Sequence, residues 1–305
     1  MDAAYVQFLQ TYLPRLALRW QGFRKVRTHV VKRLKRRLCT LQLPDLAAYA
    51  AYLANHAEEW AVLDSLCRIS ISRFYRDRGV FEALREAVLP TLAQEALARH
   101  ESCLHCWSAG GAGGEEVYTL KMLWHLCLAP HFPTLPLSIM ATDADKHALA
   151  RARAGRYKWG SIKELPASWI AAGFVHSDTW YVVQDAFREA IDFVKQDIRR
   201  ELPTGVFHLI LCRNVVFTYF TEPVQRDILA QLVARLVPGG VLLVGTHEAL
   251  PQDGLPLTAY GSQPGIFRRG RHRGDATQPH GCSTARTHSA REAAQLKNSR
   301  KRFRV

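Results

Sequence analysis

A chain of 305 residues, 48% hydrophobic and 22% charged, has the composition of a folded globular protein and excludes wholesale disorder. No apolar run reaches the roughly 18 residues of a membrane-spanning helix, and the start MDAAYVQFLQTYLPRLALRW lacks the basic region and cleavage site of a secretory signal. Seven widely spread cysteines argue against a disulfide framework. The expected setting is cytoplasmic and reducing, without stable membrane insertion.

The net charge of +14 is uneven: residues 1–60 carry +6, residues 268–305 carry +9, and the stretch between carries −1. Basic ends attract acidic partners, whether protein, lipid or nucleic acid.

In RKVRTHVVKRLKRRL, Val26, Val30, Val31, Leu34 and Leu38 recur at helical spacing, with Lys and Arg filling the other faces. Pro44 opens a second helical stretch, PDLAAYAAYLANHAEEWAVLDSL. The spacing predicts a small all-helical domain and linker over residues 1–90. A different pattern then runs over 91–270. Short apolar runs at 103–109, 137–142, 206–212 and 241–246 alternate with helical stretches at 115–128, 144–154 and 222–237. That alternation predicts an α/β domain with a parallel sheet covered on both faces. The pattern weakens over about 155–200, where WYVV and IDFV read as strands of a small inserted β subdomain. Residues 271–305 are basic and poor in large apolar side chains, and read as a disordered tail.

The first strand, CLHCWSA, runs into GGAGGEE and a helix. Gly110 opens this turn, and such a glycine turn lets a ligand approach the backbone at the carboxyl edge of a sheet. Glu115 and Glu116 occupy the helix start where a dinucleotide phosphate would sit, and would repel it. No Lys-Ser/Thr pair follows, which removes the triphosphate-loop reading. A positively charged, phosphate-free ligand suits the turn better, and S-adenosylmethionine is the candidate. Asp143, at the tip of the second strand, reads as an acceptor for ribose hydroxyls or as a helix N-cap. Asp145 reads as a first-turn helical residue. In LILCRNVVFTYF, Arg213 and Asn214 end a strand, and Tyr219 follows at the mouth of the site. Cys103 and Cys106 stand C-x-x-C but lack a second pair, so they read as core thiols rather than metal ligands. No metal site is expected.

These motifs together resemble the CheR-type chemotaxis protein-glutamate O-methyltransferases. WSAGGAGGEEVYTL is similar to their cofactor loop and ATDAD to their ribose-binding strand end. LCRNVVFTYF is similar to their fourth-strand motif, GGVLLVGTHE to their final strand, and ISISRFYRD to the linker entering their site. The basic helical start is similar to their N-terminal domain. The resemblance covers about residues 20–250 and implies a Rossmann-like S-adenosylmethionine-dependent methyltransferase fold. By position it assigns cofactor contacts to Ser70, Ser72, Arg76, Gly110, Glu115, Asp143, Asp197, Ile198, Arg213 and Asn214, with Glu116 the alternative to Glu115. It assigns catalysis to Arg76 and Tyr219. The chain departs from the family pattern at Ile69 and Ser70, where Thr-Asn is usual, and at Ala112 and Gly113, where Ser-Thr is usual. One extra residue also separates Asn214 from Tyr219.

The implied reaction is methyl transfer to glutamate carboxylates of a protein such as a chemoreceptor's cytoplasmic helices. The basic helix, through Lys32, Arg33, Arg36 and Arg37, is the expected contact to an acidic receptor face. Two other readings compete. One is a methyltransferase acting on nucleic acid or a small molecule, although no Asn/Asp-Pro-Pro-Tyr motif for base-nitrogen chemistry is present. The other is a non-catalytic adaptor that binds the cofactor without turnover.

Overall fold

The computed structural model describes residues 2–252 and 254–270; the segment read as a basic tail, 271–305, lies outside them. Five helices come first: α1 (Asp2–Tyr12), α2 (Trp20–Phe23), α3 (Arg27–Thr40), α4 (Leu46–Asn55) and α5 (Glu59–Leu66). Helix α3 buries Val30, Val31, Leu34 and Leu38, the stripe its periodicity predicts. Asp45 caps α4 by accepting the Ala48 N–H at 2.8 Å. Three helices then meet at one buried acid, Glu59, which accepts from Arg37 Nε at 2.9 Å and from the Tyr49 hydroxyl at 2.8 Å. Burial pushes the Glu59 pKa up, but these hydrogen bonds outweigh it and hold the carboxyl below its usual range.

The basic face of α3 is therefore narrower than its sequence. Arg37 is spent on Glu59, and Arg33 donates to the Leu66 and Arg68 carbonyls. Lys32, Lys35 and Arg36 stay exposed.

After the linker come α6 (Arg78–Ala83) and α7 (Leu89–Ala98), joined by a π-helical turn. Then follow β1 (Leu104–Ala109), α8 (Glu115–Leu123), β2 (Leu137–Asp143), α9 (Lys146–Ala154), β3 (Arg156–Tyr157), α10 (Trp159–Ile162), α11 (Ala167–Gly173), β4 (Phe174–Ser177) and β5 (Trp180–Val183). The remainder is β6 (Ile191–Lys195), β7 (Phe207–Cys212), α12 (Val216–Tyr219), α13 (Glu222–Ala234), β8 (Leu236–Val244), β9 (Leu257–Ala259) and β10 (Ile266–Arg269).

Seven strands form one sheet in the order β6-β2-β1-β7-β8-β10-β9. The first five run parallel, and β10 and β9 add an antiparallel edge. The order reverses beside β1, which creates the crevice at the carboxyl ends where ligands bind in such sheets. Strands alternate between two cores. Leu209 and Leu211 of β7 face one side with α6, α7 and α8, whereas Ile210 and Cys212 face the other with α13 and the N-terminal helices. Because both faces are covered, these strands read as continuous apolar runs.

Two features differ from the sequence reading. IDFV belongs to β6, an edge of the main sheet paired in parallel with β2. The inserted sheet is instead β3-β5-β4, antiparallel. Helices α6 and α7 pack on the main sheet, so the α/β layer begins upstream of residue 91. No helix of the described residues is long and apolar enough to cross a membrane.

The N-terminal helices meet the sheet through backbone as well as side chains. Arg19 N–H donates to the Tyr219 carbonyl at 2.8 Å, Thr221 N–H donates to the Ala17 carbonyl at 2.9 Å, and Leu18 and Phe220 form an isolated bridge. Gly22 allows this approach, since a Cβ there would lie 2.3 Å from the Thr218 carbonyl oxygen. Gly22→Ala is expected to cost about 1–3 kcal/mol by overpacking, and to lower the melting temperature by several degrees in a thermal scan.

Candidate active site

The site forms where β1, β2, β6 and β7 end. After β1 the chain turns through Gly110 at φ +81°, where a Cβ would lie 2.6 Å from Val215 Cγ2. The N–H groups of Gly110 and Gly111 both reach the Thr142 carbonyl, at 2.8 and 3.1 Å. Ala112 N–H donates to Asp143 Oδ2 at 2.9 Å, and Asp145 N–H donates to Oδ1 at 2.7 Å. Asp143 thus faces the crevice with one donor on each oxygen and acceptor capacity to spare. Burial raises its pKa. The helix cap falls to Asp145, which accepts the His147 N–H at 2.8 Å and the Ser70 hydroxyl at 3.4 Å. Asp145 is therefore the N-cap of α9 rather than a first-turn residue.

The two adjacent acids at the start of α8 separate completely. Glu116 accepts from Ser108 Oγ at 3.0 Å and from Arg213 Nη1 at 2.9 Å. Glu115 is largely buried; its Oε1 lies 3.5 Å from Ser161 Oγ, and its Oε2 has no hydrogen-bond partner among the described residues. Burial raises the Glu115 pKa. An orphaned carboxylate oxygen beside a glycine loop wants a cationic donor.

A cleft runs from this loop toward the N-terminal helices and holds about 750 Å³, its open mouth included. Of the residues singled out from sequence, Ser70, Gly110, Asp143, Asp197, Ile198 and Tyr219 line it. Ser72, Arg76, Glu115, Arg213 and Asn214 are not on its wall.

Arg213 is turned away, into a buried cluster. It donates to Asp77 Oδ2 at 2.5 Å, to Glu116 Oε2 at 2.9 Å and to the Arg76 carbonyl at 3.1 Å. Its guanidinium also lies over the Phe81 ring, 5.4 Å from the centroid. Asn214, at φ +55°, donates its N–H to Glu248 Oε2 at 2.8 Å. Glu248 also accepts from Gly245 N–H and Thr218 Oγ1, each at 2.6 Å. It fixes the turn that carries Tyr219, a role with no local sequence signal beyond its place after β8.

The linker is anchored by its aromatic pair. Phe74 and Tyr75 are buried in the first core, and their N–H groups donate to the Ser161 carbonyl and Thr119 Oγ1 at 3.0 and 3.1 Å. Arg76 follows, half-buried, with Nη1 3.3 Å from the Ile71 carbonyl. Tyr219 packs on Phe23 with ring centroids 5.0 Å apart. Burial raises its pKa, while the charge of Arg76 acts the other way; the phenol stays protonated at neutral pH.

Sequence reasoning missed the far wall of the cleft. Arg199 holds Asp197 through Nε at 2.9 Å and Nη2 at 2.6 Å, and holds Asp64 of α5 at 2.7 and 2.9 Å. These pairings span up to 135 residues, so no local motif encodes them.

Residues 70–265 match the family model described as "CheR methyltransferase, SAM binding domain". A probable chemotaxis protein methyltransferase of Rhizobium etli is 33% identical over 76% of this chain and 90% of its own. The chemotaxis protein methyltransferase of Listeria monocytogenes is 30% identical over 71% of this chain and 81% of its own. An uncharacterized 104.1 kDa protein of Rhodobacter capsulatus is 33% identical over 73% of this chain, which spans only 23% of that longer protein. Among solved structures, the N-methyltransferase NodS of Bradyrhizobium japonicum with bound S-adenosyl-L-homocysteine is 19% identical. It covers 54% of this chain and 61% of its own, at a TM-score of 0.29. The cofactor of the matched domain is S-adenosylmethionine, and the residues present fit it: a buried Glu115 oxygen without a hydrogen-bond donor among the described residues, spare acceptor capacity at Asp143, and a loop of glycines and one alanine where a ligand approaches.

The raised pKa of Glu115 carries a testable sign. A carboxyl whose folded pKa lies above its unfolded value loses stability as pH rises from the unfolded value through the folded one. The ionised form is then a net cost at neutral pH. Glu115→Gln is expected to raise the melting temperature of the ligand-free protein slightly at pH 7, while weakening S-adenosylhomocysteine binding about tenfold or more by calorimetry.

Proposed function

This chain belongs to the CheR methyltransferase family, and on that premise we propose that it methylates glutamate side chains of a signalling protein such as a chemoreceptor. What supports the reading is Tyr219 on the wall of the cleft, with Arg76 on the linker that the buried Phe74 and Tyr75 anchor. Bound S-adenosylmethionine supplies a sulfonium methyl group as the electrophile. A glutamate carboxylate, with an ordinary pKa of about 4.3, is already ionised at pH 7 and needs no general base. The work left to the protein is placement and exclusion of water.

Arg76 is the residue that grips the carboxylate, because a guanidinium matches it with two parallel hydrogen bonds. Tyr219, protonated and held on Phe23, donates a further hydrogen bond and fixes the carboxylate's orientation. Arg213 supports Arg76 from behind: its bonds to the Arg76 carbonyl and Asp77 set the height of the linker over the sheet. Glu115 and Asp143 bind the cofactor's ammonium and ribose. Lys32, Lys35 and Arg36 on α3 offer an acidic receptor surface a screened, long-range attraction.

The reaction class has a chemical signature. Protein incubated with radiolabelled methyl donor and receptor fragment is expected to give label released as methanol in alkali, as carboxyl esters do. Alkali-stable label would move the assignment to nitrogen methylation. In the same assay Arg76→Ala is expected to lower single-turnover methylation by about 10²-fold, with a much smaller loss of cofactor affinity. Arg76→Lys is expected to recover little, as a point charge lacks the paired geometry. Turnover near the parent level in Arg76→Ala would remove Arg76 from the mechanism.

A further inference from the structure

We propose that Arg199 is a positioning residue for the cofactor, acting through Asp197 and latched by Asp64 of the N-terminal helical layer. The inference rests on Asp197 and Ile198 forming the adenosine-facing pair of the cleft. It adds two residues that no local motif points to.

The argument begins with what a carboxylate at a strand exit does when left alone. Asp197 follows β6 on an irregular segment with no helix to hold it. Its oxygens are instead oriented by one guanidinium: Nε and the backbone N–H of Arg199 reach Oδ1 at 2.9 and 3.1 Å, and Nη2 reaches Oδ2 at 2.6 Å. This leaves acceptor capacity chiefly on Oδ2, and Asp197 is on the wall of the cleft. Burial alone pushes the Asp197 pKa up, yet the Arg199 bonds overcome it and lower the pKa below its usual value.

Arg199 is itself positioned from the other side. Both terminal nitrogens donate to Asp64 on α5, at 2.7 and 2.9 Å, and Nη1 lies 3.3 Å from the Leu16 carbonyl. The guanidinium also sits over the Phe220 ring at 5.5 Å, next to Tyr219. Arg68, one turn along from Asp64, adds a second tie: it donates to Asp64 Oδ2 at 3.0 Å and to the Ala144 carbonyl, beside Asp143, at 2.7 Å. Asp64, Arg68 and Arg199 all line the cleft. One mostly buried charge network therefore joins the helical layer, the segment after β6 and the segment after β2. Such networks are stiff in low dielectric and strongly coupled. The orientation of the cofactor-facing carboxylate then depends on a residue of the helical layer, which links cofactor affinity to the seating of that layer.

The test is calorimetric titration of S-adenosylhomocysteine into full-length protein and into Asp64→Asn, Arg199→Lys and the double variant, with melting temperatures recorded alongside. Asp64→Asn is nearly isosteric and keeps a partner for Arg199, so folding is preserved. Each single variant is expected to weaken binding by about tenfold, and the double variant by far less than the hundredfold that independent sites would give. In methylation assays the KM for S-adenosylmethionine should rise with kcat at saturation little changed. A merely structural role would lower the melting temperature and leave the dissociation constant at 25 °C unmoved. Variants within twofold of the parent affinity, or single losses that multiply in the double variant, would overturn the proposal while leaving the cofactor assignment intact. Parent protein that bound no S-adenosylhomocysteine would overturn both.

Discussion

Arg213 sits between two carboxylates, Asp77 and Glu116, with its side chain only 3% exposed. The position of the linker depends on it. Residues 69–77 form no helix or strand, so nothing repetitive holds them over the sheet. They are fixed by the burial of Phe74 and Tyr75 and by Arg213 reaching across from the tip of β7 to Asp77 and the Arg76 carbonyl. Breaking one side of a buried ion pair costs about 3–5 kcal/mol, because the other charge is left without a partner. An arginine that resemblance places among cofactor contacts is thus, in this fold, what holds the backbone of Arg76 in place.

The same logic explains why Glu115 and Glu116 differ. Successive helical residues point about 100° apart, so adjacent acids cannot share one environment. Glu116 turns toward β1 and Arg213 and is absorbed by the fold. Glu115 turns toward α10, where Ser161 is a weak partner at 3.5 Å. A chain that buries an acid without pairing it carries a cost in folding, and such a cost is retained where a ligand removes it. The glycine loop supplies the complementary condition, since side chains there would fill the space beside Glu115 and Val215.

What the sequence revealed follows from burial and range. Strands β1, β2, β7 and β8 were legible because both their faces are covered, which makes them continuous apolar runs. Strand β6 is an edge, exposed at Asp192 and Lys195, and its alternation resembles a surface hairpin until its partner is known. Strands β9 and β10 are three and four residues long, and in β10 two of the four are arginines, so no pattern could announce them. Among the residues that line the cleft, those set by the chain's own turns could be read: Gly110, Asp143, and Tyr219 at the end of α12. Those whose role lies in a distant partner could not. Asp64 and Arg199 are separated by 135 positions, and neither stands in a motif. Arg33 and Arg37 misled in the opposite direction, since a helix face rich in cations does not disclose which of them the fold consumes.

Charge gives the cleft its direction. Arg213 is shared by Asp77 and Glu116, so that grouping retains an excess of acid, whereas Asp64 and Asp197 are balanced by Arg68 and Arg199. Asp143 and Glu115 add carboxyls that no guanidinium or ammonium of the described residues contacts. The crevice therefore presents net negative potential to a ligand that arrives with a sulfonium and an ammonium, and repels one built on phosphate. Methyl transfer removes the sulfonium charge and leaves the ammonium. The attraction that favours the donor is then partly withdrawn from the product by the reaction itself, with no rearrangement of the protein required.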